Sequence, residues 1–196
     1  MKTEDKLYNY LAQFDFLSPQ EVAYIAAQFT PKHLKKNELL IRAGSICDQL
    51  AFIATGAVRA FTSDENGEEN TTCFSFENRF VTVFDSFIER KSTQKSIRAI
   101  EDCILFVINY TTFQQLAAKL PSWIYLQELL TRQAFAEKEY YHIHFKNKAA
   151  KEKYRHLLEE QPEIIKRAEV QDIASYLGIT QRTLTRAKRA ILYPEL

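Results

Sequence analysis

Three arginines near the C-terminus, Arg182, Arg186 and Arg189, are spaced by four and then three residues. In an α-helix this spacing brings their side chains onto one face. A guanidinium group presents paired N–H donors that match a phosphate group or the major-groove edge of guanine. The stripe therefore predicts contact with a nucleic acid. The plain alternative is the solvated basic face of an ordinary helical hairpin.

Residues 170–191 predict two short helices that would hold this stripe. Gly178 favours the end of the first helix because glycine readily adopts positive φ, and Thr180 is a candidate N-cap of the second. Apolar residues at helical spacing predict the inward faces. These are Val170, Ile173, Ala174 and Leu177 in the first helix and Leu184, Ala187 and Ile191 in the second.

Such a helix-turn-helix places the N-terminal half of its second helix against base edges in the major groove of DNA. Double-stranded DNA is therefore the predicted partner. The predicted DNA-binding residues are Thr180, Gln181, Arg182, Thr183, Arg186 and Arg189.

Charge is unevenly distributed along the 196 residues. The formal net charge is only +1, but residues 146–196 carry +4 and residues 1–145 carry −3. A basic C-terminal module on a mildly acidic body is typical of a protein whose tail alone meets phosphate.

Export and membrane signals are not expected. No run of about 18 apolar residues predicts a membrane span, and the N-terminus lacks the apolar stretch of a secretory signal. Cys47, Cys73 and Cys103 are separated by 26 and 30 residues, which fits neither a zinc site nor a disulfide framework. We therefore expect a cytoplasmic protein whose cysteines are buried and unpaired.

The N-terminal part predicts helices followed by strands. Residues 4–29 predict helix, with a capping box at Ser18–Glu21. Residues 33–108 predict short strands, among them a run over 79–84 and a hairpin that turns at Asp64–Gly67. Strands repeated at intervals of about ten residues favour a sandwich or barrel.

After Tyr110 the chain is predicted to be helical. Thr111 or Thr112 would cap the first helix, Pro121 would begin a long helix to about residue 145, and another helix would cover 147–160 before Gln161-Pro162 breaks it. The long helix carries a stripe that alternates steps of three and four: Leu126, Leu129, Gln133, Ala136, Tyr140 and Ile143. This period fits a homodimer seam or a buried helix within one chain, and periodicity alone leaves both open.

The order of elements resembles the Crp/Fnr family of bacterial regulators. Gly44 and Gly56 match two turn glycines of its barrel, and DIASYLGITQRTLTR resembles its C-terminal motif. The resemblance implies an α+β fold with N-terminal helices and a small antiparallel β-barrel of jelly-roll type. It implies a cyclic-nucleotide-binding-like effector domain (1–120), a long dimerisation helix (121–145) and an all-α helix-turn-helix domain (146–196). The implied function is a homodimeric DNA-binding transcription regulator.

The chain departs from the members of the family that bind cyclic AMP. Val83 stands where the resemblance places a glutamate for the ribose, and Thr93 and Gln94 stand where it places an Arg-Ser pair for the phosphate. No glycine lies between Gly67 and Gly178 to form a phosphate-cradling nest. We expect no cyclic AMP binding in the usual mode, no cofactor, and an effector, if there is one, that the sequence does not identify. The end at Leu196 further predicts a module without the family's β-hairpin wing.

The remaining polar and aromatic groups receive structural interpretations. His142 and His144 diverge by about 200° in a helix, which disfavours a shared metal. A phenylalanine cluster predicts barrel core and pocket lining, with an apolar effector cavity as the alternative, and a lysine cluster predicts a solvated helix face. The two sets are Phe74, Phe76, Phe80, Phe84 and Phe87, and Lys146, Lys148, Lys151 and Lys153.

No arrangement of side chains in the sequence suggests catalysis, so we expect no enzyme. The alternative function is a ligand sensor or protein-interaction module that no longer binds DNA.

Overall fold

The computed structural model describes residues 5–145 and 147–192. The chain begins with two short helices, α1 (Asp5–Leu11) and α2 (Pro19–Ala26). Ser18 caps α2, because its Oγ accepts a hydrogen bond from the Glu21 N–H and the Glu21 carboxylate accepts one from the Ser18 N–H at 2.8 Å. The predicted capping box is confirmed.

Within the described residues, eight strands form two four-stranded sheets. They are β1 (Thr30–Leu34), β2 (Leu39–Ile41), β3 (Gln49–Thr55), β4 (Val58–Ser63), β5 (Glu69–Ser75), β6 (Phe80–Val81), β7 (Lys95–Ala99) and β8 (Cys103–Asn109). One sheet has the order β1-β8-β3-β6 and the other β2-β7-β4-β5. The central pair, β3 and β8, is antiparallel from Gln49–Asn109 to Thr55–Ile104. The α+β fold with an antiparallel jelly-roll core is confirmed.

The turns between strands follow local sequence chemistry. In the β4–β5 hairpin, Asp64 Oδ1 accepts hydrogen bonds from the N–H groups of Asn66 and Glu68 at 2.9 and 2.8 Å, as predicted for a turn here. At Gly56, between β3 and β4, φ is +94° and a Cβ would lie 2.6 Å from the Asp102 carbonyl oxygen. Only glycine fits this close approach.

Residues 79–84 do not form the predicted strand. β6 contains two residues, and helix α3 (Phe84–Glu89) begins at Phe84. The β-branched residues of this run favour a strand, but contacts distant in sequence override that preference. Ser86 Oγ accepts a hydrogen bond from the Cys47 N–H at 2.9 Å and donates one to the Lys91 carbonyl, which holds the segment as a short helix.

Two longer helices follow β8. Helix α4 (Tyr110–Lys119) is capped by Asn109, whose side chain accepts a hydrogen bond from the Thr112 N–H at 2.8 Å, so the predicted cap at Thr111 or Thr112 is wrong. The last residue of β8 therefore also caps α4. Helix α5 (Pro121–Phe145) begins at Pro121, as predicted. No helix in the described part of the chain is long and apolar enough to cross a membrane.

Four further helices end the described chain: α6 (Ala150–Glu160), α7 (Pro162–Arg167), α8 (Val170–Tyr176) and α9 (Gln181–Leu192). α6 begins later than predicted, since Asn147 adopts a positive φ of 64° that a helix does not contain. The break at Gln161-Pro162 is confirmed, and α7 after it was not predicted.

The chain divides into two compact units, one of residues 1–60 and 75–131 and the other of residues 61–74 and 132–196. The core of the first unit includes Leu11, Ile25, Phe52 and Trp123, which are almost completely buried. The second unit contains α6 to α9 together with the distal part of the β4–β5 hairpin. The predicted domain boundaries at residues 120 and 145 stay a prediction.

Candidate nucleic-acid interface

α8 and α9 are joined by a turn over residues 177–180. Gly178 adopts a φ of 63°, and the Ile179 N–H donates to the Ala174 carbonyl at 3.0 Å, which closes the end of α8. Thr180 Oγ1 accepts a hydrogen bond from the Thr183 N–H at 3.2 Å and so caps α9. The predicted roles of Gly178 and Thr180 in the turn are confirmed.

The arginine stripe lies on the outward face of α9. Arg182, Arg186 and Arg189 are exposed, whereas Leu184 and Ala187 on the other side of the helix are buried. At 100° per residue, the three arginines fall within an arc of about 60° around the helix axis. The geometry therefore presents three guanidinium groups in one row. Their contact with DNA stays a prediction.

The inward face of α8 is shorter than the sequence pattern indicates. Ile173, Ala174 and Leu177 are buried, but Val170 is 54% exposed. Val170 is the first residue of α8, and a helical side chain there leans back toward the N-terminus, beyond the packed turns. Its predicted place in the core is wrong.

Two threonines of α9 present different groups. Thr183 is half-buried, and its Oγ1 lies 2.9 Å from Thr180 Oγ1, so it faces the start of the helix. Thr185 is exposed beside the arginine row, and its hydroxyl donates to the Gln181 carbonyl at 2.9 Å. The residues predicted from the sequence do not include Thr185, because the prediction was based on the charge of the arginines. The angular position of residue 185 around the helix axis, next to the arginine row, is the sequence feature that could have identified it.

Side chains from α5 and α6 hold the C-terminal end of α8. The Tyr141 hydroxyl donates to the Tyr176 carbonyl and the Lys153 ammonium to the Leu177 carbonyl, each at 2.7 Å. Carbonyls in a last helical turn have no partner within the helix, so these bonds satisfy them. Burial raises the pKa of the Tyr141 hydroxyl above its usual value.

The predicted solvated lysine face is therefore only partly present. Lys148 and Lys151 are exposed, but Lys153 is half-buried and bonded to α8, so its assignment to that face is wrong. The contact depends on how α6 packs, which sequence spacing does not show. Lys146 lies outside the described residues.

Helix α5 exposes large apolar side chains. Ile124, Tyr125, Phe135 and Ile143 are 54, 47, 65 and 63% exposed. Within the predicted stripe, Gln133 and Ala136 are exposed and Leu129 and Tyr140 half-buried. Leu126 is completely buried in the core of the first unit, so of the two alternatives for the stripe this residue follows the buried helix and not the intermolecular seam.

The predicted phenylalanine cluster does not exist as one group. Phe80 packs 5.2 Å from Phe52 between ring centroids, Phe87 packs 5.0 Å from Phe113, and Phe74 packs 5.3 Å from Tyr176. Phe76 is half-buried and Phe84 is 48% exposed. Phe87 lies in the core of the first unit and Phe80 packs against it, whereas Phe74 belongs to the second unit.

Cys47, Cys73 and Cys103 form no disulfide, and they are not all buried as predicted. Cys47 and Cys103 are buried, whereas Cys73 is half-buried on β5 and its Sγ donates to the Phe74 carbonyl at 3.3 Å.

Within 5–145 and 147–192, no three His, Cys, Asp or Glu side chains are grouped to hold a metal ion. His142 and His144 lie in α5, as predicted, and their side chains fall outside what the structure describes.

Residues 31–119 match the family of cyclic nucleotide-binding domains. Over 88 residues the chain is 31% identical to the transcriptional activator protein Anr of Pseudomonas protegens, a match that covers 45% of this chain. It covers 35% of Anr, so the matched part of the chain spans about a third of the length of this relative.

The fold is similar to solved structures over most of the chain. FixK2 from Bradyrhizobium japonicum matches with a TM-score of 0.72 at 18% identity, covering 85% of each chain. A Crp/Fnr family protein from Eubacterium rectale matches with a TM-score of 0.74 at 19% identity, covering 96% of this chain and 89% of that one. Over most of its length the chain therefore has the fold of these two solved structures.

In this chain, the three positions predicted to depart from a cyclic AMP site are apolar, hydrogen-bonded or exposed. Val83 is buried just before α3. Thr93 is also buried: its N–H donates to the Ser45 carbonyl at 2.9 Å, and its carbonyl accepts from the Gly44 N–H at 2.7 Å. Gln94 is exposed.

Arg90 fastens the same segment to the loop before β3. It lies at the end of α3 in the left-handed conformation, and its guanidinium donates to the Cys47 carbonyl at 2.8 Å and to the Asp48 carboxylate at 2.7 Å. It also lies 4.3 Å above the centre of the Tyr110 ring, a cation–π distance. The charge of Arg90 is thus already engaged by groups of its own chain.

Proposed function

We propose that this protein is a DNA-binding transcription regulator of the Crp/Fnr family. The observation that carries the proposal is the exposed row of Arg182, Arg186 and Arg189 on a capped helix whose other side is buried. Arg182 lies in the first turn of α9, where a recognition helix meets base edges, and guanidinium groups suit guanine and phosphate. Anr, which is similar over part of the chain, is a transcriptional activator, and this supports the same class of function.

The proposed DNA contacts keep the residues predicted from the sequence and add one. They are Thr180, Gln181, Arg182, Thr183, Thr185, Arg186 and Arg189. Thr180 and Thr183 lie at the helix start, where hydroxyl and backbone N–H groups can meet a phosphate.

A homodimer joined along α5 belongs to the same proposal. Ile124, Phe135 and Ile143 are exposed, and covering them with a second α5 would remove apolar surface from water. Two recognition helices acting together would gain affinity without new contacts. They would meet half-sites about one helical turn apart, ~34 Å.

The barrel is proposed to work without cyclic AMP. The buried Val83 side chain cannot accept a hydrogen bond from a ribose, and the neutral Thr93 cannot pair with a phosphate charge. Arg90, the nearby cation of α3, is held by Asp48 and the Cys47 carbonyl.

Operator titration tests the DNA contacts. A duplex enriched from a random library by the purified protein is titrated by fluorescence anisotropy against wild type, Arg182→Ala and Arg186→Ala. Each substitution should weaken specific binding at least about tenfold, because an arginine–guanine pair contributes roughly 1–3 kcal/mol of discrimination. Wild-type binding should fall steeply with salt.

Lys188→Ala is the matched control. It removes the same charge from the same exposed helix, but residue 188 lies about 100° or more around the axis from all three arginines. Its affinity should change less than about threefold. Equal affinities of wild type and both arginine variants would show that α9 does not read DNA. A wild type that enriches no sequence would favour the ligand sensor or protein-interaction module.

A further inference from the structure

The backbone edge of β5 is met by a side chain from α8. β5 ends the sheet order β2-β7-β4-β5, and an edge strand presents N–H and C=O groups outward. Ser175 Oγ donates to the Glu69 carbonyl and accepts from the Thr71 N–H, each at 2.8 Å. One hydroxyl therefore takes the place that a residue of a neighbouring strand would occupy.

An apolar contact lies beside this polar one. The Tyr176 ring is almost completely buried and lies 5.3 Å from the Phe74 ring of β5, edge to face. It also lies 5.1 Å from Tyr141 and 5.8 Å from Phe145, both on α5. All of these groups belong to the unit that contains α8 and α9.

The two contacts restrain α8 in different ways. Apolar burial is not directional, so the packing of Tyr176 and Phe74 resists separation more than rotation. Hydrogen bonds weaken steeply when their angle changes, so a hydroxyl bonded to two groups on one strand resists both sliding and rotation of α8. The turn over 177–180 is closed by its own bonds and passes this restraint to α9.

We propose that Ser175 is a positioning residue for DNA recognition. By bonding the edge of β5 it fixes the orientation of α8, and through the turn it fixes the arginine row of α9. Base-edge contacts need side chains placed within about 0.5 Å, whereas contacts to phosphates tolerate larger shifts. Ser175 should therefore affect specific binding more than non-specific binding. This inference rests on the proposed function.

Ser175→Ala and Ser175→Thr form the test pair, since alanine removes both hydrogen bonds and threonine keeps the hydroxyl. Ser175→Ala should weaken operator binding roughly five- to tenfold, the effect of two lost hydrogen bonds at a half-buried site. Its affinity for a scrambled duplex should stay within about twofold, because that binding depends on charge. Ser175→Thr should restore operator affinity to within about threefold of wild type.

Amide hydrogen exchange without DNA gives a second readout. The Thr71 N–H donates to Ser175 Oγ, so its exchange should accelerate at least about tenfold in Ser175→Ala and much less in Ser175→Thr. The Thr112 N–H, bonded to Asn109 in the first unit, is the internal control and should not change. If Ser175→Ala fails to fold by circular dichroism, Ser175→Cys replaces it, because a thiol is a weak hydrogen-bonding group.

The outcomes separate this inference from the proposed function. A wild type with a preferred operator, combined with an unchanged or higher ratio of specific to non-specific affinity in Ser175→Ala, overturns the positioning role alone. Unchanged Thr71 exchange in Ser175→Ala also overturns it. A wild type that prefers no sequence overturns the proposed function, and the positioning role with it.

Discussion

At the scale of single residues, a hydrogen bond to the backbone determines which groups of the Thr185 side chain remain available to contact DNA. Its proton is donated to the Gln181 carbonyl, so its outward groups are a methyl and hydroxyl lone pairs. A threonine methyl in the major groove packs well against the methyl of thymine. We therefore expect a thymine opposite residue 185 in the operator.

Replacing that thymine with uracil removes only the methyl. Wild-type affinity should fall about fourfold, because one buried methyl contributes about 0.8 kcal/mol. The same replacement should leave the affinity of Thr185→Ser unchanged, because this variant keeps the hydroxyl but lacks the methyl. It should still lower the affinity of Thr185→Val, which keeps the methyl. Anisotropy titrations of the two duplexes against three proteins measure this. An equal uracil effect in Thr185→Ser would contradict the methyl contact.

Residue roles were predictable from the sequence where the partner is close along the chain. Gly178 and Thr180 act on groups within five residues, and propensity rules describe such contacts well. Lys153 and Ser175 act on groups 24 and 104 residues or more away, so the packing of whole elements determines them. Composition around Ser175 carries no sign of its contact with β5.

At the scale of elements, the exposed apolar side of α5 predicts association. Ile143→Glu should yield monomers, because it places a charge without a partner in an apolar seam. Leu129→Glu should also favour monomers, but it is a less specific test of the seam, since Leu129 is already half-buried within its own chain. Light scattering at about 20 µM protein distinguishes monomer from dimer.

Ala134→Glu is the control for this substitution. Ala134 is exposed on the same helix, nine residues from Ile143 and so about 180° around the axis. The Ala134→Glu variant should remain dimeric. A monomeric wild type, or three variants with the same mass, would refute a seam on the Ile143 side.

Elements were predictable where caps and breakers mark their ends. Ser18, Pro121 and Pro162 begin or interrupt helices as their chemistry requires. The 79–84 run reads as a strand because β-branched and aromatic residues dominate it, yet bonds from Ser86 fold its end into α3. Leu126 fits the period of the α5 stripe, but periodicity does not distinguish a contact within the chain from one between chains.

At the scale of the whole molecule, the barrel is expected not to respond to cyclic AMP. Calorimetry with micromolar protein should show no saturable heat with cyclic AMP or cyclic GMP, and either nucleotide should leave operator affinity unchanged. The reason is the combination of Val83, Thr93 and an engaged Arg90. A dissociation constant near or below about 10 µM would contradict this prediction.

The order of the whole fold was predictable, and the grouping of its parts was not. Helices, strands, one long helix and a basic helical module follow each other in the sequence as in the structure. Residues 61–74 lie among strands in the sequence but group with residues 132–196 in space. Hydrophobic periodicity describes each element by itself and carries no information on such long-range grouping.

The hydroxyl of Ser175 on the edge of β5 also bears on aggregation. Unpaired strand edges are templates on which another chain can add a strand, and proteins commonly block them with charges, bulges or a covering element. Here the covering element includes the helix before the arginine row, so any local opening that releases α8 would uncover the Glu69–Thr71 edge. A weakly docked α8 would therefore show itself first as slow self-association on storage or mild heating, before any loss of helical content.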